Sequence, residues 1–422
     1  MTTPKTLTAQ IIIIGDELLN GSISDANMAP IASWLLFRGI HLQKALTVRD
    51  QRPQLAEAIQ SAWNEADIVI TTGGLGPTKD DITKSILGEM VGGELVENLE
   101  AIELVSAQYK KMNKEWRKES NLYHLIPEGV GVFRNPIGLA PGLKIQKAGK
   151  LLLATPGVPR ELMAMIKEEF SELIKETFNH FPEPEQRISI RTKGIPEEKI
   201  FFEMMPELWS HLETYGKVSS LPQLLGVDIH LQFAATPEKK AQIEEALRLK
   251  LASSPLAPYI WHWGEESIEE LIIKMATQKN ITLGISESCT GGLVAHRLTS
   301  VAGSSQVFLG SLVTYANEAK MNILDVKEET LAAHGAVSCE VATQMASGAR
   351  RLLKADISVS LTGIAGPGGG STQKPVGTVC LGEASPSGEK AVRLNFFGNR
   401  HHLKRRFSQA ALFKLHELIE TF

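Results

Sequence analysis

The sequence has few cysteines and no long apolar run. Its 422 residues include only Cys289, Cys339 and Cys380, with no CxxC spacing. An odd, scattered set of this kind argues against a disulfide framework and against a zinc site, so reduced thiols are expected. No run of about 18 apolar residues occurs, and the first eight residues lack a signal-peptide stretch, so we expect no membrane contact and a cytoplasmic location.

Net charge is also small, because 44 Lys and Arg residues face 48 Asp and Glu residues, for a formal charge of −4. Such a balance offers little attraction to a polyanion, so no nucleic-acid partner is expected. With 43% hydrophobic and 22% charged residues, the composition is that of a globular protein. At roughly 150 residues per domain, the length indicates about three domains.

Strands and helices alternate in the first part of the chain. The predicted strands cover residues 10–14, 40–47 and 68–72, and the predicted helices cover residues 27–37 and 53–63. This β-α-β-α-β pattern predicts an α/β domain with a parallel sheet, placed at residues 1–180, with a further strand at 151–154. Ligands of such sheets collect at the loops that leave the carboxyl ends of the strands.

The middle part of the chain is predicted to be a small α+β module, residues 186–256, between two linkers. Two prolines mark the first linker at 181–185, and residues 255–265 form the second. Its predicted elements are strands at 187–192 and 226–234 and helices at 197–205 and 237–252. It offers no constellation of residues suited to chemistry, which favours a spacer or oligomerisation unit.

The last part, residues 265–422, again shows an α/β pattern. Helices are predicted at 267–277, 293–300 and 339–353, and strands at 282–286, 307–315 and 357–361. Ser288 lies on a sharp turn from strand to helix, followed by Thr290, Gly291 and Gly292. Backbone N–H groups at a helix start can stabilise an oxyanion or bind an anion, so these residues are candidate ligands. The alternative is a helix N-cap, for which Ser and Thr are preferred.

Two further loops follow strands of this part. The first carries Tyr315, Asn317 and Lys320, and a Lys can act as base for a Ser when burial lowers its pKa. A solvated surface Lys is the alternative. The second loop, residues 362–371, begins with Thr362 and contains five glycines, which include Gly363 and Gly366. Its composition suits phosphate binding although it matches neither a Walker A loop nor G-x-G-x-x-G, and a flexible connector is the alternative.

Arg400 precedes a basic helix and could clamp a phosphate with its planar fork, or could simply be solvated. Together, the motifs at 287–292, 315–320, 335–338, 362–371 and 374–378 closely resemble the C-terminal domain of the CinA (competence/damage-inducible protein A) family. In that family a Ser–Lys pair hydrolyses the carboxamide of nicotinamide mononucleotide. The resemblance implies Ser288 as nucleophile, Lys320 as base, Tyr315 and Thr362 as polar supports and Arg400 as phosphate ligand, without a cofactor. Cys289 is the rival nucleophile.

Residues 10–161 similarly resemble the N-terminal CinA domain, which has the fold of the molybdopterin-binding MoaB/MogA group. In that family the domain is associated with metal-dependent ADP-ribose pyrophosphatase activity. A diphosphate could approach the glycines of one loop, and oxygen ligands could hold a divalent cation such as Mg²⁺. The residues concerned are Gly73, Gly74 and Gly76 for the diphosphate, and Asp16, Glu17, Asn27, Asp50, Asp80 and Asp81 around the cation, with Asp80, Asp81 and Glu17 as the metal ligands. The alternative is a set of acidic caps and turn residues.

Two departures qualify these resemblances. Leu122-Tyr123-His124 stands where the compared family carries a Lys-Gln type pair, which puts the pyrophosphatase in doubt more than the fold. The middle module falls where the family has a KH-type module, but it has no GxxG loop, so RNA binding is not predicted.

Three hypotheses of function remain. The first is a nicotinamide mononucleotide deamidase, with or without ADP-ribose pyrophosphatase, whose partners are a pyridine nucleotide and ADP-ribose. The second is a molybdopterin-binding protein, and the third is a binding protein linked to competence or DNA damage. A homodimer is the expected assembly.

Overall fold

The computed structural model describes residues 6–77, 81–179, 182 and 184–422. The chain divides into two compact units, one formed by residues up to 187 with 232–247, and the other by residues 188–231 with 248–422. The three predicted domains and their boundaries stay a prediction. Within the described residues, no helix is long and apolar enough to span a membrane.

The described residues of the N-terminal part form eight strands and seven α-helices. In chain order they are β1 (Thr8–Ile14), α1 (Asp16–Leu19), α2 (Met28–Leu36), β2 (His41–Val48), α3 (Arg52–Glu65), β3 (Ile68–Thr72), α4 (Thr83–Val91), β4 (Leu95–Glu97), α5 (Leu99–Lys111), β5 (Leu125–Pro127), β6 (Gly131–Phe133), β7 (Gly142–Lys147), β8 (Lys150–Thr155), α6 (Pro159–Met165) and α7 (Ser171–Phe178). One π-helical turn, Ile166–Phe170, joins α6 to α7. The predicted α/β class is confirmed, and the predicted strand at 68–72 is found at those residues.

Six of these strands form one sheet in the order β2-β1-β3-β8-β7-β6. The first four are parallel, and β7 and β6 add antiparallel at one edge. Strand β1 is buried on both faces, since Ile11 and Ile13 pack into one core with α2 while Ile12 and Ile14 pack into the other with α3. An unbroken apolar run is typical of such a two-sided central strand. The antiparallel edge was not predicted, because β6 and β7 are short and β7 ends in exposed polar residues.

The middle part contains β9 (Glu185–Thr192), α8 (Leu208–Glu213), β10 (Lys217–Gln223), β11 (Gly226–Ala234), α9 (Pro237–Ala252) and β12 (Ile260–Trp263). The four strands form a sheet in the order β10-β11-β9-β12. The second predicted linker is wrong over residues 260–263, which pair antiparallel with β9. Trp261 explains this strand, because its ring packs edge-on against Phe413 with 5.2 Å between centroids. Of the first linker, Phe181 and Glu183 lie outside the described residues, and Glu185 begins β9.

The C-terminal part contains α10 (Ile268–Lys279), β13 (Leu283–Glu287), α11 (Leu293–Thr299), β14 (Phe308–Val313), α12 (Asn317–Leu324), α13 (Glu328–His334), α14 (Cys339–Leu353), β15 (Ile357–Gly363), β16 (Thr378–Ser385), β17 (Gly388–Asn395) and α15 (Arg400–Thr421). Its sheet has the order β14-β13-β15-β16-β17, with the first three strands parallel and the last two antiparallel. Helices α10, α11 and α15 pack together, and α12 and α13 pack on α14.

Helix α14 lies unusually close to this sheet. Hydroxyls of Ser286, Ser358 and Ser360 donate to carbonyls of the helix. At Gly382 of β16, a Cβ atom would stand only 2.2 Å from the carbonyl oxygen of Ala342. Small side chains therefore let the helix backbone approach the strands directly, and glycine is required at the closest point.

Candidate functional site

Strand register brings the predicted C-terminal site residues to one edge of the sheet. Glu287, the last residue of β13, is level with Val313 of β14 and with Leu361 of β15. Ser288 and Thr314, which follow the ends of β13 and β14, therefore leave the sheet side by side, and Thr362, still within β15, lies next to them. The chain passes from β13 to β14 on one side of β13 and then crosses to β15 on its other side. This edge is therefore a topological switch point, where α/β sheets bind ligands.

The turn that carries Ser288 is held by the fully buried carboxylate of Glu287. It accepts hydrogen bonds from the backbone N–H groups of Gly292, Val294 and Ala295 at 2.9–3.1 Å. The hydroxyls of Thr290 and Ser311 also donate to it, at 2.7 and 3.2 Å. A buried charge is tolerated when it is hydrogen-bonded in this way, and here it neutralises the positive end of α11.

This arrangement corrects one expectation. Backbone N–H groups at the start of α11 were predicted to be available to an oxyanion, but those of Gly292, Val294 and Ala295 donate to Glu287 instead. The hydroxyl of Thr290 is engaged there too. Gly291 and Gly292 adopt φ of +63° and +95°, a region that favours glycine. The substrate-binding roles predicted for these three residues stay predictions.

Lys320 is paired with Ser288, as predicted. Its Nζ lies 3.1 Å from Ser288 Oγ and donates to the carbonyl oxygens of Thr314 and Tyr315, each at 3.0 Å. Although it is a lysine, only 1% of its surface is exposed. Burial lowers the pKa of Lys320 below its usual value of 10.5.

The geometry around Lys320 suits a neutral amine. An uncharged amine has two N–H groups and one lone pair, and the two carbonyls occupy the two N–H groups. In that uncharged form the lone pair is left for the Ser288 hydroxyl, whose oxygen lies 3.1 Å from Nζ, and the amine can accept the hydroxyl proton. Such an arrangement is that of a general base beside a nucleophile.

The side chains of Tyr315 and Arg400 are in contact with each other, and the carbonyl of Tyr315 also accepts from Lys320. Arg400 donates through Nη1 to the carbonyl oxygen of Gly366 at 2.7 Å and through Nη2 to the Tyr315 hydroxyl at 3.3 Å. Both side chains are exposed, Tyr315 by 61%. The structure therefore brings a guanidinium and a phenol together beside the glycine-rich loop.

Three other predicted residues contribute differently. Thr362 is buried, and its hydroxyl donates at 2.8 Å to the carbonyl of Ala336. Gly363 is packed, since a Cβ there would lie 2.8 Å from the carbonyl oxygen of Thr378. Asn317 is exposed as the first residue of α12.

Cys289, the rival nucleophile, is poorly suited to that role. Its side chain is buried in the core with 7% of its surface exposed. Burial raises the pKa of the Cys289 thiol to about 12, so almost no thiolate forms near neutral pH.

A second candidate site lies at the carboxyl ends of β1, β3 and β8. Gly73 and Gly74 have φ of +112° and +66°, and a Cβ on Gly73 would lie 2.4 Å from the carbonyl oxygen of Ile14. The N–H of Gly76 donates to the carboxylate of Asp81 at 2.7 Å. The amide of Asn27 donates to the Thr72 hydroxyl and to the carbonyl of residue 157, tying these strand ends together.

The acidic residues near this loop have separate partners. The carboxylate of Asp50 accepts from the N–H of Asp16, whose own carboxylate pairs with Arg49 at 3.2 Å. Glu17 is exposed and folds back over Gly15. Asp80 lies outside the described residues.

No group of three or more His, Cys, Asp or Glu side chains is arranged to hold a metal ion in the part of the chain that the structure describes. Of the three predicted metal ligands, Glu17 and Asp81 lie among the described residues and Asp80 does not.

Sequence reasoning missed two residues beside Asp81. Lys84 is half-buried in α4 and donates to the carbonyl of Leu122 at 2.7 Å. Desolvation by burial lowers the pKa of Lys84 to about 8. Desolvation together with Asp81 raises the pKa of Tyr123 to about 12. The one available signal was the Leu122-Tyr123 departure, which was interpreted only as a lost contact.

We expect Glu287→Gln to destabilise the C-terminal part by about 3 kcal/mol, because an amide offers one acceptor oxygen and turns an NH₂ group toward N–H donors. Urea unfolding followed by circular dichroism measures the loss. Glu318→Gln is the matched control, since Glu318 is exposed on α12, and it should change stability by less than about 0.5 kcal/mol. Equal midpoints for the two variants would contradict the anchoring role.

Known proteins resemble this chain over its whole length. Residues 265–419 match the model of the CinA C-terminal domain, and residues 10–176 match that of a probable molybdopterin binding domain. A CinA-like protein of Chloroherpeton thalassium is 37% identical, over 98% of this chain and all of that protein. A putative competence-damage inducible protein of Halothermothrix orenii is 35% identical, over 98% of this chain and 99% of that protein.

Among solved structures, the competence/damage inducible protein CihA from Agrobacterium tumefaciens is 41% identical, with a TM-score of 0.34, over 37% of this chain and 99% of that chain. The resemblance seen in the sequence motifs is thus confirmed by relatives aligned from end to end. The chain belongs to the CinA family.

Proposed function

We propose that the C-terminal part hydrolyses the carboxamide of nicotinamide mononucleotide, giving nicotinate mononucleotide and ammonia. The observation that carries the proposal is the buried Lys320 amine, held by two carbonyls and directed at Ser288 Oγ. A serine needs such a base to attack an amide near neutral pH. The substrate class comes from the family resemblance, and the exposed Arg400 guanidinium beside Tyr315 supports it.

The reaction proceeds in two halves. Lys320 takes the hydroxyl proton while Ser288 Oγ attacks the carboxamide carbon, and the protonated amine then passes that proton to the departing nitrogen, which leaves as ammonia. The nicotinoyl group remains as an ester on Ser288. Water, deprotonated by the same amine, attacks the ester carbon, and Ser288 leaves with the proton that Lys320 returns.

Arg400 supplies substrate recognition in this proposal. Its guanidinium is exposed and is held in place by the Gly366 carbonyl and the Tyr315 hydroxyl, which leaves other N–H groups directed at solvent. A planar fork of this kind suits a phosphate. The phosphate of the mononucleotide therefore lies at Arg400 while the carboxamide reaches Ser288.

We expect Ser288→Ala and Lys320→Ala each to lower the rate of ammonia release by about three orders of magnitude or more, because each removes half of a nucleophile–base unit. Ammonia release by the purified full chain measures this. Cys289→Ala should retain most of the activity, and it is the matched control, since it alters the neighbouring side chain. An inactive Cys289 variant beside an active Ser288 variant would overturn the assignment of the nucleophile.

The role of Lys320 also predicts a pH profile. The neutral amine is the active form, so kcat/KM should rise with pH as one proton is lost, with an apparent pKa below the usual lysine value. A residual rate in Lys320→Ala should lack this rise. A variant that keeps the same alkaline limb would show that another group titrates.

We expect Arg400→Ala to raise KM for nicotinamide mononucleotide by about tenfold and to leave KM for the dephosphorylated riboside nearly unchanged, since only the nucleotide offers a phosphate. Steady-state kinetics on both substrates measures the difference. Arg393, on the exposed strand β17, provides the control variant Arg393→Ala, which should affect neither constant. Equal losses on both substrates would remove the phosphate role.

The N-terminal site supports a second proposal, cleavage of a phosphate anhydride such as that of ADP-ribose. The observation that favours it is the half-buried Lys84 beside Asp81 and the glycine turn, because a cation next to backbone N–H groups suits a diphosphate. The divalent cation remains a proposal. Molybdopterin binding is the alternative for the same surface.

We expect ADP-ribose cleavage to disappear on Asp81→Ala and to stop in excess chelator, while deamidation survives both changes. Phosphate-ester products and ammonia are measured on the same preparations, so each activity is the control for the other. Cleavage that persists in excess chelator would show that the reaction needs no divalent cation. No cleavage with several cations supplied would leave molybdopterin binding, measured by titration, as the alternative.

A further inference from the structure

We propose that Cys339 and Cys380 form a peroxide-sensitive thiol pair that closes to an intramolecular disulfide. This modification site is separate from the proposed amidase chemistry. It rests on where α14 and β16 place the two side chains.

Both cysteines face the same space. Cys380 of β16 is paired with Thr362 of β15, and residues paired across neighbouring strands point to the same face of the sheet. Thr362 donates to Ala336, in the turn before α14, so Cys380 also points toward that turn. Cys339 is the first residue of α14, and its thiol is close enough to that of Cys380 for the two to interact.

The packing of α14 explains why the thiols meet. Ala342 of the helix touches Gly382 of the strand at the point of closest backbone approach. Helix α14 leads into β15, which runs opposite to β16, so α14 and β16 run in the same direction. Cys339 precedes Ala342 by about one helical turn, or ~4.5 Å, and Cys380 precedes Gly382 by two strand residues, or ~6.6 Å. The Cys339–Cys380 pair therefore lies next to the Ala342–Gly382 contact, toward the N-terminal ends of α14 and β16.

The two thiols differ in access. Cys339 is partly exposed, as the first residue of α14. Cys380 is 1% exposed, and burial raises its pKa to about 12. An oxidant therefore reaches Cys339 first, and Cys380 acts as the resolving thiol.

Hydrogen peroxide is the oxidant in this proposal. The Cys339 thiolate attacks one peroxide oxygen, the O–O bond breaks, and a sulfenic acid and one water form once a proton is taken up. The Cys380 sulfur then attacks the Cys339 sulfur, the S–O bond breaks, and its thiol proton leaves with the hydroxyl as a second water. Two thiols are oxidised and one peroxide is reduced, so the step balances.

The test is thiol counting on the full chain. Reduced protein, unfolded and alkylated, should take three labels, while protein exposed to hydrogen peroxide before unfolding should take one label, at Cys289. Peptide mapping should show a peptide pair joined through residues 339 and 380, and dithiothreitol should restore all three labels.

Variants separate the two thiols. In Cys380→Ser, Cys339 should remain a sulfenic acid that dimedone traps, whereas Cys339→Ser should leave Cys380 unmodified by peroxide. Cys289→Ser is the matched control and should still form the disulfide. Three labels after peroxide treatment, or a cross-link between two chains, would overturn the proposal even if a cysteine variant failed to fold, because both are measured on the unaltered sequence.

Discussion

The Glu287 carboxylate is the interaction on which the C-terminal site depends. A fully buried carboxylate is costly unless donors surround it, and here five donors from the turn, from α11 and from β14 converge on it. Because the donors come from three consecutive elements, satisfying the charge fixes the path of the chain through Ser288. The strand end, the turn and the helix start are therefore held together by one set of hydrogen bonds, which fixes the position of Ser288.

Lys320 is buried in different surroundings from Glu287. N–H and O–H donors point at the carboxylate oxygens of Glu287. Lys320 faces two carbonyls and a hydroxyl, which any amine can satisfy without charge, so desolvation favours the neutral form. The carbonyls come from the residues that leave β14, and strand register places them beside Ser288. Sheet register thus places Lys320 among groups that favour its neutral form.

Sequence reasoning succeeded where one local signal dominates. Buried parallel strands appeared as apolar runs, and α14 was placed at its observed bounds because its apolar face repeats clearly. The edge strands β6 and β17 were missed, as was β7 beside β6, since short or half-exposed strands resemble loops. From its own loop Lys320 looked solvated, and the motif resemblance alone paired it with Ser288. Glu287 gave no signal, because Glu is almost never fully buried and its burial arises only when distant segments supply donors.

The glycine loops of both parts carry a common lesson about anion binding. A glycine-rich turn at a strand end presents backbone N–H groups that suit phosphate, yet in each part the chain's own carboxylate takes some of them, Glu287 at Gly292 and Asp81 at Gly76. An anionic ligand therefore cannot rely on those donors alone. The attraction that remains comes from cationic side chains beside the loops, Arg400 in one part and Lys84 in the other. We therefore expect substitution of that cation to weaken phosphate binding at either site more than substitution of the glycines would.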